Sequence, residues 1–159
     1  MEIRRAEEQD RDFVVEMAVL ACGLDDRPLP ARNDEAVLAL LPGPADLALI
    51  ATGEGGARIG AAWWHFHDPP LVVDDRGAPL PEMTMAVATQ ARGRGTGGRL
   101  LAQLIGEAAG RFSGIALNVH MRNPAARLYM RSGFKVAGKG RGWYGVAMIR
   151  SLDNSLLSQ

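Results

Sequence analysis

The hydrophobic positions of this chain switch between two spacings, and each switch falls at a turn residue. Residues 2–5 have the length and pattern of a short strand. Phe13, Val14, Met17, Ala18 and Ala21 then recur every three or four residues, which predicts a first helix with Asp10 placed to cap it. Pro28 and Pro30 interrupt the chain. Asn33 then precedes Val37, Leu38 and Leu41, and Pro42-Gly43-Pro44 stops this short second helix. The apolar segments 46–52 and 58–66 are joined by Gly53-Glu54-Gly55-Gly56, which supplies the positive φ angles of a hairpin turn.

Residues 67–81 carry several prolines and read as a surface loop, and 82–88 as another strand. Directly after a glycine cluster, Leu100, Leu101, Leu104, Ile105 and Ala108 form one apolar stripe and predict a helix. Residues 115–119 make a strand. Pro124 suits the first turn of a helix running to about Ser132, and Gly133 ends it. Residues 134–137 and 144–150 close the sheet as a hairpin. The pattern is that of a mixed α/β (α+β) domain over residues 1–150, followed by a polar tail over 151–159.

Composition narrows the function classes. With 159 residues, 47% of them hydrophobic, the chain can bury one sizeable core. Eighteen basic and eighteen acidic residues balance, so no global field draws the chain to nucleic acid or to a membrane surface. The local charge is uneven: Arg92, Arg94 and Arg99 stand without an acid between them, whereas Asp68, Asp74, Asp75 and Glu82 surround a single arginine. One region suits phosphates, the other a cation. The single cysteine, Cys22, excludes an intrachain disulfide and a multi-cysteine metal site and points to a reducing, cytoplasmic compartment. No segment approaches the roughly 18 apolar residues of a membrane span. An RNA-binding reading of Arg92-Gly93-Arg94-Gly95 beside Trp63 and Trp64 meets the balanced charge and the opposite facing of adjacent strand residues.

A strand, a glycine-rich turn and a helix in succession present unpaired backbone N–H groups and the positive helix end to one point, where an anion belongs. Gly93, Gly95, Gly97 and Gly98 allow close backbone approach; the alternative is a turn that merely connects strand and helix. The segment lacks the Gly-Lys-Ser/Thr ending of a P-loop, and no acid follows at the distance of a dinucleotide fingerprint. What Arg92-x-x-Gly95-x-Gly97 resembles is the acetyl-CoA signature of the GNAT superfamily of N-acetyltransferases, Gln/Arg-x-x-Gly-x-Gly/Ala after a strand. Downstream, Asn123-Pro124-Ala125-Ala126 and Leu128-Tyr129-Met130-Arg131-Ser132-Gly133-Phe134 resemble the family's Asn-x-x-Ala and Leu-Tyr-x-x-x-Gly-Phe. The order of elements also fits that family. Thr89 and Ala91 stand where the family often has proline and an aromatic, which leaves the backbone amides intact.

The resemblance implies that amides from Arg92, Gly93, Arg94, Gly95, Thr96, Gly97 and Gly98 hold the pyrophosphate of acetyl-CoA, and that Met85, Ala86 and Val87 pair with its pantetheine arm. It also implies that Asn118 and Asn123 line the gap that admits this arm. Asn123 can equally be the cap of the helix after Pro124, and both roles are compatible. The resemblance places Tyr129 as the acid that protonates the leaving thiolate. On residue chemistry alone Tyr129 is either that acid or a core aromatic sharing a face with Ala125 and Leu128. Glu82 is the candidate base or an ordinary strand-end acid. His65 and His67 are spaced to share a face of one strand, as proton acceptors, as pH-sensitive core groups, or, with Asp68, as the start of an incomplete metal site. His120 reads as a strand-end residue. The expected partner is an amine acceptor, small and cationic if the acids Asp25, Asp26, Asp34, Asp68, Asp74 and Asp75 line its approach, with Trp143 and Tyr144 as a wall. The sheet edges and the final hairpin are compatible with a homodimer.

Overall fold

The computed structural model describes residues 1–23 and 27–152. Its elements are β1 (Glu2–Arg5), α1 (Arg11–Ala21), α2 (Glu35–Leu38), β2 (Ala48–Thr52), β3 (Arg58–His65), β4 (Glu82–Val87), α3 (Thr96–Ala109), β5 (Gly114–His120), α4 (Ala125–Arg131), β6 (Lys135–Lys139) and β7 (Gly145–Ser151). The seven strands are hydrogen-bonded in the order β1-β2-β3-β4-β5-β7-β6. β4 and β5 are parallel, whereas β1 with β2, β2 with β3, β5 with β7 and β6 with β7 are antiparallel. Among the described residues this is a mixed, mostly antiparallel sheet of seven strands with four α-helices, in the number and order of elements that the spacing of hydrophobic residues predicts. Two compact units are distinguishable, residues 1–65 with 84–104, and residues 66–83 with the chain from Ile105 onward, so that β4 and α3 each contribute to both.

In the first unit, Val14, Met17 and Ala18 of α1 sit at helical spacing and are buried with Val37, Ile50, Ala61 and Trp63. The Trp63 indole N–H donates to Leu40 O at 2.7 Å, which satisfies the one polar atom this large side chain brings inside. Trp64 is buried as well, so neither tryptophan offers a stacking platform. Gly55 and Gly56 adopt φ of 67° and 77° in the β2–β3 turn, as the glycine cluster there requires. Gly60 has a packing reason: a β-carbon there would meet Ala86 O and Leu100 Cδ1, both at 3.1 Å.

Asp10 departs from expectation. It precedes α1, yet its side chain makes no capping bond. It is fully buried and accepts from Arg4 Nη1 and Nη2 at 2.7 and 2.9 Å, Arg58 Nε at 2.7 Å and Glu7 N at 2.7 Å. A buried carboxylate needs paired charge more than a helix end needs a cap. In α2 the capping side chain is Asp34, which accepts from Ala36 N at 2.9 Å, one residue later than Asn33.

In the second unit, β5 pairs with β7 from Gly114↔Ser151 to His120↔Gly145. β6 lies at the sheet edge with every residue exposed. Gly133, at φ 95°, ends α4 in the left-handed conformation. The 67–81 loop is tied by Leu80 N donating to Val72 O at 3.0 Å and by Asp74 Oδ1, which accepts from Arg76 N at 2.8 Å and Ala78 N at 2.9 Å. β7 continues to Ser151, and Leu152 is buried with its N–H on Ser113 O at 2.8 Å, so these two residues of the expected tail belong to the folded domain. Residues 153–159, like Asp25 and Asp26, lie outside the described residues.

Candidate active site

The glycine-rich turn belongs to the first unit. β4 ends at Val87, Ala88 N donates to Ile59 O at 2.8 Å, and a 3-10 turn at Thr89–Ala91 leads to Arg92. Gly93 and Gly95 follow at φ 79° and 81°. A β-carbon at either position would point into open space, so the requirement for glycine there is conformational, and a side chain would cost about 1 kcal/mol in backbone strain. α3 starts at Thr96, and Arg99 N makes the first helical bond, to Gly95 O at 3.2 Å. Among the described residues the backbone N–H groups of Gly93, Arg94, Gly95, Thr96, Gly97 and Gly98 meet no carbonyl acceptor. Six successive donors at the positive end of a 14-residue helix have the arrangement that suits an anion.

Around this turn Arg92, Arg94 and Arg99 are exposed. Arg92 Nε donates to Val87 O at 3.3 Å and Arg99 Nη1 to Met1 O at 3.5 Å, which leaves both guanidiniums largely in solvent. Along β4, Thr84 and Ala86 are buried while Met85 and Val87 are half-buried, the alternation of a strand with one face more open. His65 is buried at the end of β3, and its Nε2 lies 3.0 Å from Thr84 Oγ1. β3 stops there, so His67 is not on the strand; it is half-buried in the loop with Nδ1 3.2 Å from Pro69 O. The pair expected to share one strand face therefore does not. A depression of about 410 Å³ lies between α1, at Phe13, Glu16 and Leu20, and the turn at Ala88, Thr89 and Gln90.

The second unit holds the other expected residues. Tyr129 of α4 is buried, its ring edge-on to Phe134 with centroids 6.0 Å apart. Burial pushes its hydroxyl up to about 12, so it stays protonated at neutral pH. Asn123 Oδ1 accepts from Ala125 N at 2.9 Å, the capping role foreseen for it. Asn118 is exposed, and its Oδ1 accepts from Arg141 N at 2.8 Å. His120, the last residue of β5, packs against Tyr144 with the rings tilted by 53° and their centroids 5.3 Å apart.

Glu82 is buried, and its carboxylate is committed: Arg141 Nη1 reaches Oε1 at 2.5 Å, Arg141 Nη2 reaches Oε2 at 2.9 Å, and Leu71 N donates to Oε2 at 3.2 Å. Three N–H donors, two of them from one bidentate guanidinium, leave little lone-pair capacity for taking a substrate proton. Sequence reasoning missed Arg141, which no local pattern marks. It sits in a glycine-bearing polar turn, and its partner stands 59 positions away. Among the described residues no three His, Cys, Asp or Glu side chains converge as a metal site, and no helix is long and apolar enough to cross a membrane.

Comparison with known proteins addresses the glycine turn and the α4 segment together. The family model of the acetyltransferase (GNAT) domain matches residues 46–136, more than half of the chain and inclusive of both motifs. Among solved structures, the chain is similar to a GCN5-related N-acetyltransferase from Kribbella flavida at 27% identity and a TM-score of 0.64, over 94% of this chain and 96% of that one. It is also similar to a GNAT superfamily phosphinothricin acetyltransferase from Sinorhizobium meliloti, solved in complex with acetyl-CoA, at 21% identity and a TM-score of 0.70, over 99% of this chain and 91% of that one. A ribosomal-protein-alanine N-acetyltransferase from Brucella melitensis shares 24% identity at a TM-score of 0.68, over 95% of this chain and 99% of that one. At such identities the last two likenesses establish the fold alone. None of the curated proteins compared with the chain matches it. With its sheet order, its glycine turn and the family match over both motifs, the chain belongs to the GNAT acetyltransferase domain family.

Proposed function

We propose that this protein transfers the acetyl group of acetyl-CoA to the primary amine of a small acceptor by direct attack. The observation that carries the reading is the run of acceptor-free amides from Gly93 to Gly98 at the start of α3, inside the segment that matches the family. In this reading those amides, with Arg92 and Arg94, hold the pyrophosphate. Met85, Ala86 and Val87 pair with the pantetheine amides, the open-faced alternation of β4 being suited to an added strand. Asn118 and Asn123 line the path of that arm, Asn123 capping α4 at the same time.

The reaction needs a neutral amine, a donor for the oxyanion and a proton for the departing thiolate. The backbone N–H near Val87 serves the oxyanion. Tyr129 serves the thiolate: its hydroxyl is protonated and makes no hydrogen bond among the described residues, so it is available to donate. An alkyl amine of pKa about 10.4 must lose a proton first. Since the Glu82 carboxylate is engaged by Arg141 and Leu71, we assign that proton to solvent water in place of the base role expected of Glu82.

For the acceptor we propose a cationic amine, supported by the exposed Asp68 and Asp75 of the 67–81 loop. Asp34 and Asp74 are occupied in a helix cap and a turn. A reducing, cytoplasmic setting is supported by the single cysteine, and a homodimer by the exposed edge strand β6. The test is coenzyme A release against aminoglycosides, polyamines, amino acids and basic peptides at low and high salt. Preferred turnover of a polycation, weakened by salt, is the expected result; a preferred acceptor that is neutral outside its reacting amine, with a rate indifferent to salt, would rule out the electrostatic part.

A further inference from the structure

We propose that Arg141 is a positioning residue for the acceptor side of the reaction: a strut that joins the 67–81 loop to the β6–β7 turn and so sets the shape in which an acceptor is received. The proposal rests on the acetyltransferase reading. The Arg141 guanidinium bridges both oxygens of buried Glu82, and Nη2 also donates to Pro69 O at 3.0 Å. Glu82 in turn takes the Leu71 N–H at 3.2 Å. Through the Arg141–Glu82 pair, therefore, the start of β4 and two points of the 67–81 loop are fixed to the turn between β6 and β7.

The backbone of the same residue is held too. Arg141 N donates to Asn118 Oδ1 at 2.8 Å, and two positions on, the chain exposes Trp143 almost completely, at 95%. Tyr144 follows, exposed, its ring tilted against His120 with Arg122 6.0 Å above it, and Met121 N donates to Tyr144 O at 3.1 Å. A bidentate Arg–carboxylate pair suits this task because its two parallel bonds fix an angle as well as a distance. Lysine cannot reproduce that geometry with a single ammonium.

Two roles for Glu82 separate cleanly. As an anchor for Arg141, Glu82 acts on acceptor binding; as a base, it would act on the chemical step. Arg141→Met, Arg141→Lys, Glu82→Gln and the Arg141→Met/Glu82→Gln double variant are compared with the wild type, using the best amine from the release assay. The strut requires KM for the amine to rise ~10-fold in Arg141→Met and in Glu82→Gln, with kcat changed much less and acetyl-CoA affinity by calorimetry within ~2-fold. It also requires the double variant to be no worse than the singles, since both remove one interaction. Arg141→Lys should recover only part of the loss.

A ~100-fold fall of kcat in Glu82→Gln at unchanged KM, with Arg141→Met near wild type, would overturn the strut in favour of the base. A second arm needs no turnover and stands even if the wild type transfers no acetyl group to any amine. Trp63 and Trp64 are buried, so iodide quenches Trp143 selectively. Faster local depolarisation of the iodide-quenched component in Arg141→Lys and Arg141→Met supports the strut, and unchanged depolarisation in both overturns it.

Discussion

At the scale of single residues, environment decides which acids and hydroxyls do chemistry and which hold the fold. Tyr129 is buried and its pKa raised to about 12, so no rate limb below pH 10 belongs to it, and its proton is present throughout the neutral range. Tyr129→Phe keeps the ring against Phe134 while removing the proton; kcat should fall ~100-fold with acetyl-CoA affinity within ~2-fold. Full turnover in that variant would return Tyr129 to a core aromatic. Asp10 shows the opposite case. Its carboxyl is held well below the usual aspartate range, foremost by the Arg4 hydrogen bonds, against the cost of burial, and further by the Glu7 N–H and Arg58. Because the folded value is depressed, the stabilisation is fully present above the ordinary pKa near 4 and is lost as pH falls through the folded value. Asp10→Asn should therefore cost ~3 kcal/mol in urea unfolding at pH 7, toward the low end for a broken buried pair because both guanidiniums reach solvent. The gap from wild type should narrow as pH drops below about 4. A difference under ~0.5 kcal/mol at pH 7 would mean that the triad contributes no net stability.

At the scale of elements, what hydrophobic spacing specifies is what the chain builds. The α1 stripe of Val14, Met17 and Ala18 and the α3 stripe of Leu100, Leu101 and Leu104 are buried as their three- and four-residue intervals require. The glycine cluster before α3 was legible for the same local reason: positive φ at Gly93 and Gly95 is a property of the turn itself. Longer-range facts left no such trace. Asp10 reads as a cap until Arg58, 48 positions on, is brought against it, and Glu82 reads as a candidate base or a strand-end acid until Arg141 arrives from 59 positions away. Strand ends are similarly underdetermined. His65 and His67 alternate in sequence, but β3 stops at His65 and the shared face disappears. For the glycine turn the expected outcome is specific. Gly97→Leu places a bulky side chain in the first turn of α3, where a phosphate must approach the amides closely, and calorimetry should show acetyl-CoA affinity reduced by ~100-fold with the fold intact. Unchanged affinity would place the cofactor elsewhere.

At the scale of the whole molecule, each compact unit carries its own set of these residues: the first has the acceptor-free amides of Gly93 to Gly98, the second has Tyr129, Asn118, Asn123 and the Glu82–Arg141 pair. Membership of the GNAT acetyltransferase family covers both motifs in one chain, and it leaves the acceptor undetermined. The account as a whole stands on group transfer, and one measurement addresses it without intermediaries. The purified protein is incubated with acetyl-CoA labelled in the acetyl group and the preferred amine of the release assay, and the amine is then examined by mass spectrometry alongside the free thiol produced. The account predicts the labelled acetyl group on the amine nitrogen in a one-to-one ratio with released coenzyme A. Thiol release that is the same with and without amine, with no label on the acceptor, would contradict it.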